Sequence, residues 1–300
     1  MNATIFFLLL PVLACLLGPV LTSGPLSPSE NQERLAICGT KHKTDSNFTK
    51  EAENQERRSI YGGRSATALE VPWAVRVQFG NNLCSGSLIS KRHILTASHC
   101  LVGTDFYLRY VSQARRYCSY DIDRIYEGDF PQLSVILASG YWFPSRAVKL
   151  ILYGLCHHDN WKSDDAMIIE MEQDVQLSDW THPICVPKNV DPNLPGKQVH
   201  LYGYGHNNSI WTDFQNSDAL RHGSFQVTKF SNNFFLAEDA LHKVAVRPGD
   251  SGGGAILNQE DGRPYVIGIC SSATAGNTFK TNFMSVGVHS AGICVLTGVC

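Results

Sequence analysis

The segment at residues 249–253, Gly-Asp-Ser-Gly-Gly, constrains this chain of 300 residues more than any other part of it. Glycines on both sides of Ser251 permit a strained turn that exposes the hydroxyl, and they let backbone N–H groups approach a developing oxyanion. An alcohol in such a turn can act as a nucleophile. Glycine and serine are also common in ordinary surface turns, which is the alternative interpretation. The segment indicates catalysis only if the chain also supplies a base and an acid.

Two segments upstream supply the base and the acid. His99 lies in the sequence Thr-Ala-Ser-His-Cys, and Asp165 lies in Asp-Asp-Ala-Met-Ile, so the order along the chain is His, Asp, Ser. Together with the segment around Ser251, these sequences resemble those of the trypsin/chymotrypsin-like serine peptidases. The resemblance extends from about Ile60 to His289.

The resemblance implies an all-β fold, two antiparallel six-stranded Greek-key β-barrels with the active site between them. It also implies a mechanism, in which Ser251 attacks the scissile carbonyl while His99 takes its proton and later protonates the leaving amine. Asp165 accepts the ring N–H of His99, and the backbone N–H groups of Gly249 and Ser251 form the oxyanion hole. Asp164 competes for the role of the acid, but the apolar residues that bury the strand begin directly after Asp165.

Composition and the N-terminal run indicate export. The chain is 43% hydrophobic with a formal net charge of -2, so a core is expected and no basic stripe or patch favours nucleic acid or acidic lipid as a partner. An apolar run at residues 3–21 predicts a signal peptide over residues 1–23. An uncleaved membrane anchor is the alternative, although the prolines and the length suit a signal core better. We therefore expect a secreted, extracellular protein with no membrane segment after signal removal.

The cysteine content agrees with an oxidising compartment. One of the ten cysteines lies in the signal, and the odd number that remains leaves one thiol free, bonded to another chain or outside a simple scheme. No C-x-x-C pair occurs, so a zinc site is not expected, and the family resemblance implies no metal or cofactor. The resemblance implies two disulfides, one that pins the histidine loop and one that tethers the propeptide. The stretch between His99 and Asp165 is longer than is usual in the family, and a third disulfide would staple this insertion at residues 117–156. These pairs are Cys84–Cys100, Cys38–Cys185 and Cys118–Cys156; Cys270, Cys294 and Cys300 cannot be paired from the sequence.

The polar N-terminal part of the chain is predicted to lie outside the folded domain. Residues 24–59 carry little that could form a core, and we interpret them as a propeptide. The Ile-Tyr-Gly-Gly sequence that begins at Ile60 resembles the mature N-terminus of the family. Residues 60–300 are thus expected to form the peptidase domain, with the boundary between its barrels near residues 180–190.

The resemblance also implies an activation step. In the family, cleavage before the isoleucine frees an amine that pairs with the aspartate preceding the nucleophile, which makes Ile60 and Asp250 the expected ion pair. Arg58 would attract a trypsin-like or dibasic protease, but Ser59 intervenes. Activation therefore requires trimming, a cut after Ser59, or a modified switch.

Specificity is inferred from the offset to Ser251. Ala245, six residues earlier, takes the place of the base of the primary pocket, where a carboxylate would be needed to neutralise a substrate Lys or Arg. By the same resemblance, Ser271 lies near Asp165 and Gly287 lies in the pocket wall. We therefore expect a neutral residue, apolar or small, before the scissile bond.

The implied partners are a protein or peptide substrate, an activating protease and a protein inhibitor, and the resemblance implies a monomer. Asn47 and Asn207 each begin an Asn-x-Ser/Thr sequence and are predicted glycosylation sites.

Two other functions fit parts of the pattern. The spacing Gly-x-Ser-x-Gly also occurs in esterases and lipases, whose acid and histidine follow the serine, so Asp261 and His289 would have to serve. A catalytically inactive homologue that acts as a binding or regulatory module is the second alternative. Arg247 in place of the usual pocket cysteine and the altered activation site favour it. The closing Ile-Cys-x-Leu-Thr-Gly-x-Cys sequence is similar to a nematode branch of trypsin-like proteins, some of whose members lack a full triad.

Overall fold

The computed structural model of the chain describes residues 23–40, 60–102, 104–105, 108–109, 124–130, 132–153, 164–206, 219–231, 233–274 and 277–300. The predicted signal segment, the sequons at Asn47 and Asn207, and the Cys118–Cys156 pair lie outside the described residues. No helix in the described part of the chain combines the length and the apolar character needed to cross a membrane.

Short antiparallel strands make up most of the structure. They are β1 (Arg64–Ser65), β2 (Ala74–Phe79), β3 (Asn82–Leu88), β4 (His93–Thr96), β5 (Arg124–Glu127), β6 (Leu133–Leu137), β7 (Trp142–Phe143), β8 (Ala147–Tyr153), β9 (Ala166–Met171), β10 (Gln198–Gly203), β11 (Arg221–Phe230), β12 (Phe234–Glu238), β13 (Gly254–Asn258), β14 (Pro264–Thr274) and β15 (Asn277–Ser285). The helices are α1 (Pro28–Ile37) and α2 (Val286–Thr297), with a 3₁₀ turn at Ser98–Leu101.

The N-terminal strands form a curled sheet in the order β5-β8-β9-β4-β3-β2-β6-β7. Its central strands are buried over most of their length, and β9 is buried at every position. The strand-like runs at residues 75–79 and 84–89, separated by a Gly-Asn-Asn turn, predict a hairpin before the histidine. The hairpin is present, because β2 pairs with β3 and Phe79 lies opposite Asn82 next to the turn. Strand β4 then leads directly to the 3₁₀ turn that carries His99.

The C-terminal strands form a barrel. Strands β11, β10, β13, β14, β15 and β12 follow one another around it, and a β11–β12 pairing closes the ring, with β1 added at β11. Phe283 stacks on Phe235 with ring centroids 5.1 Å apart, and Phe225 contacts it edge-on at 6.2 Å. The expected all-β architecture is therefore confirmed: a closed six-stranded barrel and a second curled sheet, as in the trypsin-like fold.

Residues 24–59 were expected to carry little that could form a core, yet residues Pro28–Ile37 of this range form helix α1. Ser27 caps the helix: its hydroxyl accepts from the Glu30 N–H at 3.3 Å, and the Glu30 carboxylate accepts from the Ser27 N–H at 2.7 Å. Pro28 at the first helical position is already restricted to a helical φ. The Ser-x-x-Glu spacing of this capping box is present in the sequence.

The helix is anchored on the C-terminus of the chain. The Leu26 N–H donates to Thr297 O at 2.8 Å, and the buried Arg34 donates from Nη2 to Cys300 O at 2.9 Å. Glu30 forms ion pairs with Lys91, at 2.8 Å, and with Arg92 on the curled sheet. Although polar, the described part of the N-terminal segment, residues 24–40, is therefore folded onto the domain.

The disulfides agree with the prediction where the described residues allow comparison. Cys84–Cys100 and Cys38–Cys185 are both formed. The structure adds Cys294–Cys300, which the sequence left unpaired, and identifies Cys270 as a free, buried thiol. Burial raises the pKa of this thiol, as do the nearby Asp250 and Asp165 carboxylates, so it remains protonated.

The chain ends in a helix. Residues 287–289, which were expected to place Gly287 in the pocket wall, lie within α2, which occupies Val286–Thr297. Gly298 ends the helix in the left-handed conformation, with φ at 70°. A Cβ atom there would lie 2.3 Å from Leu26 O, so glycine also permits the close approach of the α1 segment.

Replacing Arg34 by alanine should lower the free energy of unfolding by about 2 to 3 kcal/mol, because it removes charged hydrogen bonds at a buried position. Glu33→Ala, on the exposed side of the same helix, is the matched control and should change stability by less than about 0.5 kcal/mol. Urea unfolding measures both. Equal effects of the two variants would show that the anchoring contacts do not stabilise the fold.

Candidate active site

Strand pairing brings His99 and Asp165 together. Strands β4 and β9 are antiparallel neighbours with Thr96 opposite Met167, so the end of β4 lies beside the start of β9. His99 follows β4 in the 3₁₀ turn, and the Cys84–Cys100 disulfide ties that turn to β3. Asp165 lies immediately before β9. Residues far apart in sequence thus meet because their strands are adjacent.

The Asp165 carboxylate is fully buried and receives hydrogen bonds from two segments, the histidine turn and β14. Nδ1 of His99 lies 2.5 Å from Oδ2, and the His99 N–H donates to Oδ1 at 2.8 Å. The hydroxyls of Ser98 and Ser271 donate at 2.9 Å and 2.7 Å. Asp165, rather than Asp164, is therefore the acid that holds the histidine.

These contacts determine the charge of the pair. Burial by itself would raise the pKa of Asp165, but the His99 charge and the hydrogen bonds from His99 and Ser271 outweigh burial and hold that pKa below its ordinary value. The carboxylate is consequently ionised at neutral pH. An ionised acceptor at Nδ1 keeps the proton on that nitrogen, which leaves Nε2 as the basic atom of the ring.

The loop that carries Ser251 packs against the start of the histidine turn. Gly252 has φ at 82°, and a Cβ atom there would lie 2.1 Å from Thr96 Oγ1 and 2.3 Å from Ser85 O. The Ser85 N–H donates to Ser251 O at 2.8 Å, and its hydroxyl donates to Gly249 O at 2.8 Å. Glycine at 252 is thus required by both conformation and space.

The same loop is joined to the barrel strand that contacts Asp165. The Gly252 N–H donates to Cys270 O, and the Cys270 N–H donates to Gly253 O, both at 2.8 Å. The next residue, Ser271, donates its hydroxyl to Asp165. The half-buried Ser251 therefore lies in a loop fixed on one side to the histidine turn and on the other to the acid.

Asp250 is a second buried carboxylate, and its pKa is raised where that of Asp165 is lowered. Its oxygens accept from the Gly205 N–H at 2.8 Å and the Arg247 N–H at 2.9 Å. Burial raises its pKa to about 7 because these two hydrogen bonds and the Arg247 charge offset only part of the desolvation.

Ile60 is buried in the barrel core, and its φ of 44° lies in the left-handed region. Such a conformation is strained for a β-branched residue. The adjacent Tyr61 pairs with Ala245, whose N–H donates to Tyr61 O at 3.0 Å. The start of the predicted mature chain is therefore joined to the segment that leads to Asp250.

The predicted substrate residues do not all come together. Ser271 lies at Asp165, as expected, and Ala245 is buried beside Tyr61. Gly287 lies in the first turn of α2, where a Cβ atom would be 2.7 Å from Asn189 O, so it belongs to a helix packed on another loop. We therefore remove Gly287 from the substrate-binding set.

Two buried serines of the site were not predicted from the sequence. Ser98 donates to Asp165, while Ser85 links Gly249 O to the Tyr204 N–H at 2.9 Å. The signal that could have found Ser85 is its hydroxyl in a strand next to the histidine turn, since a buried polar group needs a partner. The signal for Ser98 is its place next to His99.

The esterase and lipase alternative is wrong. That fold is an α/β architecture, whereas the described residues form an all-β structure. Its two required residues also have other partners: Asp261 contacts Arg263 and Tyr265, and His289 lies beside Asp164.

The barrel, the curled sheet and this arrangement define a trypsin/chymotrypsin-like protein. More specifically, the chain belongs to the Nematode trypsin-6-like family, whose pattern matches residues 5–300.

Curated relatives are serine proteases. The chain is 25% identical over 248 residues to chymotrypsin-C of Mus musculus, and this alignment covers 74% of this chain and 81% of the mouse protein. It is 27% identical over 180 residues to CLIP domain-containing serine protease B8 of Anopheles gambiae, over 54% of this chain and 42% of the mosquito protein. It matches serine protease filzig of Drosophila melanogaster at 26% identity, over 71% of this chain but 13% of the fly protein. The chain thus spans less than half of these two insect relatives.

A solved structure supports the fold. The scabies mite inactivated protease paralogue S-D1 superposes with a TM-score of 0.60 at 20% identity, over 78% of this chain and 95% of that one.

The Asp250 carboxyl should make the uncleaved protein less stable as pH rises. The unfolded state releases this proton near its ordinary pKa, whereas the folded state retains it up to about pH 7. The free energy of unfolding should therefore fall between about pH 4 and pH 7, by about 4 kcal/mol from this group. Denaturant unfolding across that range should show a smaller fall for Asp250→Asn. Asp261→Asn, at an exposed acid, should leave the slope unchanged; equal slopes for wild type and Asp250→Asn would contradict the assignment.

Proposed function

We propose that the protein is a secreted serine endopeptidase with Ser251, His99 and Asp165 as its catalytic triad. The observation that carries the proposal is the buried, ionised Asp165 held on His99 Nδ1, next to the loop of Ser251. Ser251 Oγ attacks the scissile carbonyl and His99 Nε2 takes its proton, then returns it to the leaving amine. Asp165 stabilises the imidazolium that forms between these steps.

The oxyanion hole consists of the backbone N–H groups of Gly249 and Ser251. Gly249 has φ at 98°, a conformation that glycine adopts without strain, and a Cβ atom there would lie 2.8 Å from Gly205 Cα. The loss of one oxyanion donor raises the barrier of such reactions by about 3 to 4 kcal/mol. The loop therefore requires glycine for its shape and, in this proposal, for its catalysis.

Activation occurs by cleavage before Ile60, after which its amine pairs with Asp250. Two observations support this step. Asp250 is a buried acid whose charge is incompletely compensated, so a cation would stabilise it. The left-handed φ of Ile60 exists only while a peptide bond precedes it, so cleavage also relieves strain. Ser59 requires trimming after a cut at Arg58, or an activator that cuts after Ser59.

The N-terminal segment remains attached after this cleavage. The Cys38–Cys185 disulfide bonds it covalently, and the contacts of α1 add to that bond. In this proposal, residues 1–23 are a signal peptide, and Asn47 and Asn207 are glycosylated. Disulfides form and persist in oxidising compartments, so those of the domain agree with secretion.

The primary pocket accepts a neutral side chain, apolar or small. Ala245 provides no carboxylate to neutralise a buried substrate cation. Arg247, only two residues away, places its guanidinium 4.6 Å from the Tyr61 ring centroid and adds positive charge nearby. The substrate is a protein or peptide, the further partners are an activating protease and a protein inhibitor, and the enzyme acts as a monomer without metal or cofactor.

A binding or regulatory module without turnover is the second candidate. The scabies mite protein that superposes on this chain is an inactivated protease paralogue, so the scaffold can persist without catalysis. Arg247 at the usual cysteine position and Ser59 at the activation site favour this candidate here.

Reaction with a fluorophosphonate probe distinguishes the two functions. The protein cut before Ile60 should be labelled at Ser251, and Ser251→Ala should abolish labelling because the nucleophile is gone. Ser139→Ala, at an exposed serine, is the control and should label like the wild type. A cleaved, folded wild type that remains unlabelled would favour the module.

Cleavage of a peptide library should show a neutral residue before the scissile bond. Ala245→Asp should shift the preference towards Lys and Arg by at least about tenfold, since a buried carboxylate would stabilise their charge. Ala245→Ser controls for the change in size and polarity. A wild-type preference for Lys or Arg would show that the assignment of Ala245 is wrong.

A further inference from the structure

Asp164 is a buried carboxylate that the proposed mechanism does not use, although it directly precedes the triad acid. Its side chain is only 3% exposed. Two side chains from the C-terminal half of the chain approach its Oδ1 atom: Asn233 Nδ2, from the barrel, at 3.1 Å and His289 Nε2, from α2, at 3.6 Å. We call Asp164, Asn233 and His289 the Asp164 cluster.

The cluster connects the curled sheet to the barrel and to α2. Asn233 lies in the turn between β11 and β12, and its carbonyl accepts from the Ser285 N–H at 2.8 Å, at the end of β15. His289 lies on α2, which begins directly after Ser285. The His289 ring packs on Tyr153, the last residue of β8, with centroids 4.9 Å apart. The sheet side therefore contributes Asp164 and Tyr153, and the barrel and α2 contribute the groups that contact them.

Asp164 and Asp165 are adjacent in a hydrogen-bonded turn, so a displacement of Asp164 also displaces Asp165. The Ala166 N–H donates to Asp164 O at 2.8 Å, so Asp165 is enclosed in a tight turn between the cluster and the start of β9. The carboxylate of Asp165 lies 2.5 Å from His99 Nδ1, a contact that leaves little freedom for displacement. A small movement of Asp164 would lengthen this contact, and misplacement by about 1 Å can reduce a rate about a hundredfold.

We propose that Asp164 is a positioning residue: through Asn233 and His289 it fixes the Asp165 carboxylate relative to His99 at the contact between sheet and barrel. A buried carboxylate is costly without its partners, so the sheet and the barrel associate favourably only in the arrangement that satisfies it. The inference rests on the proposed peptidase function for its effect on rate. Its structural part, the geometry of the His99–Asp165 pair, does not depend on turnover.

Two variants test the role of the cluster. His289→Phe retains a ring that can pack on Tyr153 and removes Nε2, whereas Asp164→Asn removes the charge and retains an oxygen for Asn233. Asp261→Asn removes an exposed carboxylate outside the cluster and is the matched control. The measurements are the rate of fluorophosphonate labelling of the cleaved protein, the melting temperature, and the downfield proton NMR signal of His99 Nδ1–H.

Both cluster variants should be labelled about ten times more slowly than the wild type at temperatures far below melting, and the His99 proton signal should shift or broaden. The control should match the wild type in both respects. A lower melting temperature with unchanged rate and signal would overturn the proposal, because it would show a role in stability alone. If one variant does not fold, the other decides.

Failure of the proposed function gives a different result. A folded, cleaved wild type that is not labelled would remove the peptidase proposal, but the His99 proton signal would still test the positioning role. An unchanged signal in a folded His289→Phe or Asp164→Asn variant would then reject that role.

Discussion

A buried negative charge at Asp165 is the interaction on which the site depends. An ionised carboxylate cannot remain inside a protein without donors, and here the histidine turn and β14 together supply them. The turn comes from the curled sheet and β14 comes from the barrel, so satisfying one charge requires both units to be in place. The loop of Ser251 is hydrogen-bonded to β14 at the residue before Ser271. The site is thus a consequence of how the two units satisfy this carboxylate.

The two buried aspartates of the site show how environment determines charge. Both lie fully inside the protein, yet the pKa of Asp165 is lowered while burial raises that of Asp250 to about 7. The difference arises from their partners, because His99 and two hydroxyls surround the first, and two backbone N–H groups bind the second. One acid is charged in the uncleaved chain, and the other still lacks a full counter-charge. This asymmetry is what an enzyme activated by a new amine would require.

Local motifs made part of the fold predictable. The β2–β3 hairpin follows from two strand-like runs and the turn between them, and the preference for Asp165 over Asp164 follows from the apolar strand after it. The Cys84–Cys100 disulfide was predicted from the family resemblance. The position of Gly287 was not predictable in this way, because a three-residue likeness to a family segment does not exclude a helix. The docking of α1 depends on contacts with Cys300, 266 positions from Arg34, which no local pattern reveals. The Ser-x-x-Glu cap of α1 can be recognised in the sequence, but the surface that the helix covers cannot.

The N-terminal segment has two ends with different physical requirements. Near Cys38 it is held by a disulfide and by a helix that contacts both the curled sheet, through Glu30, and the C-terminus, through Arg34. At Ile60 the backbone is strained and the side chain is already buried in the barrel. In the proposed activation, a cut before Ile60 would create an amine and release strain, since the side chain is already buried in the core. The disulfide and helix at the other end would keep the segment attached, and the new amine would supply positive charge to Asp250, which is only partly compensated in the uncleaved chain.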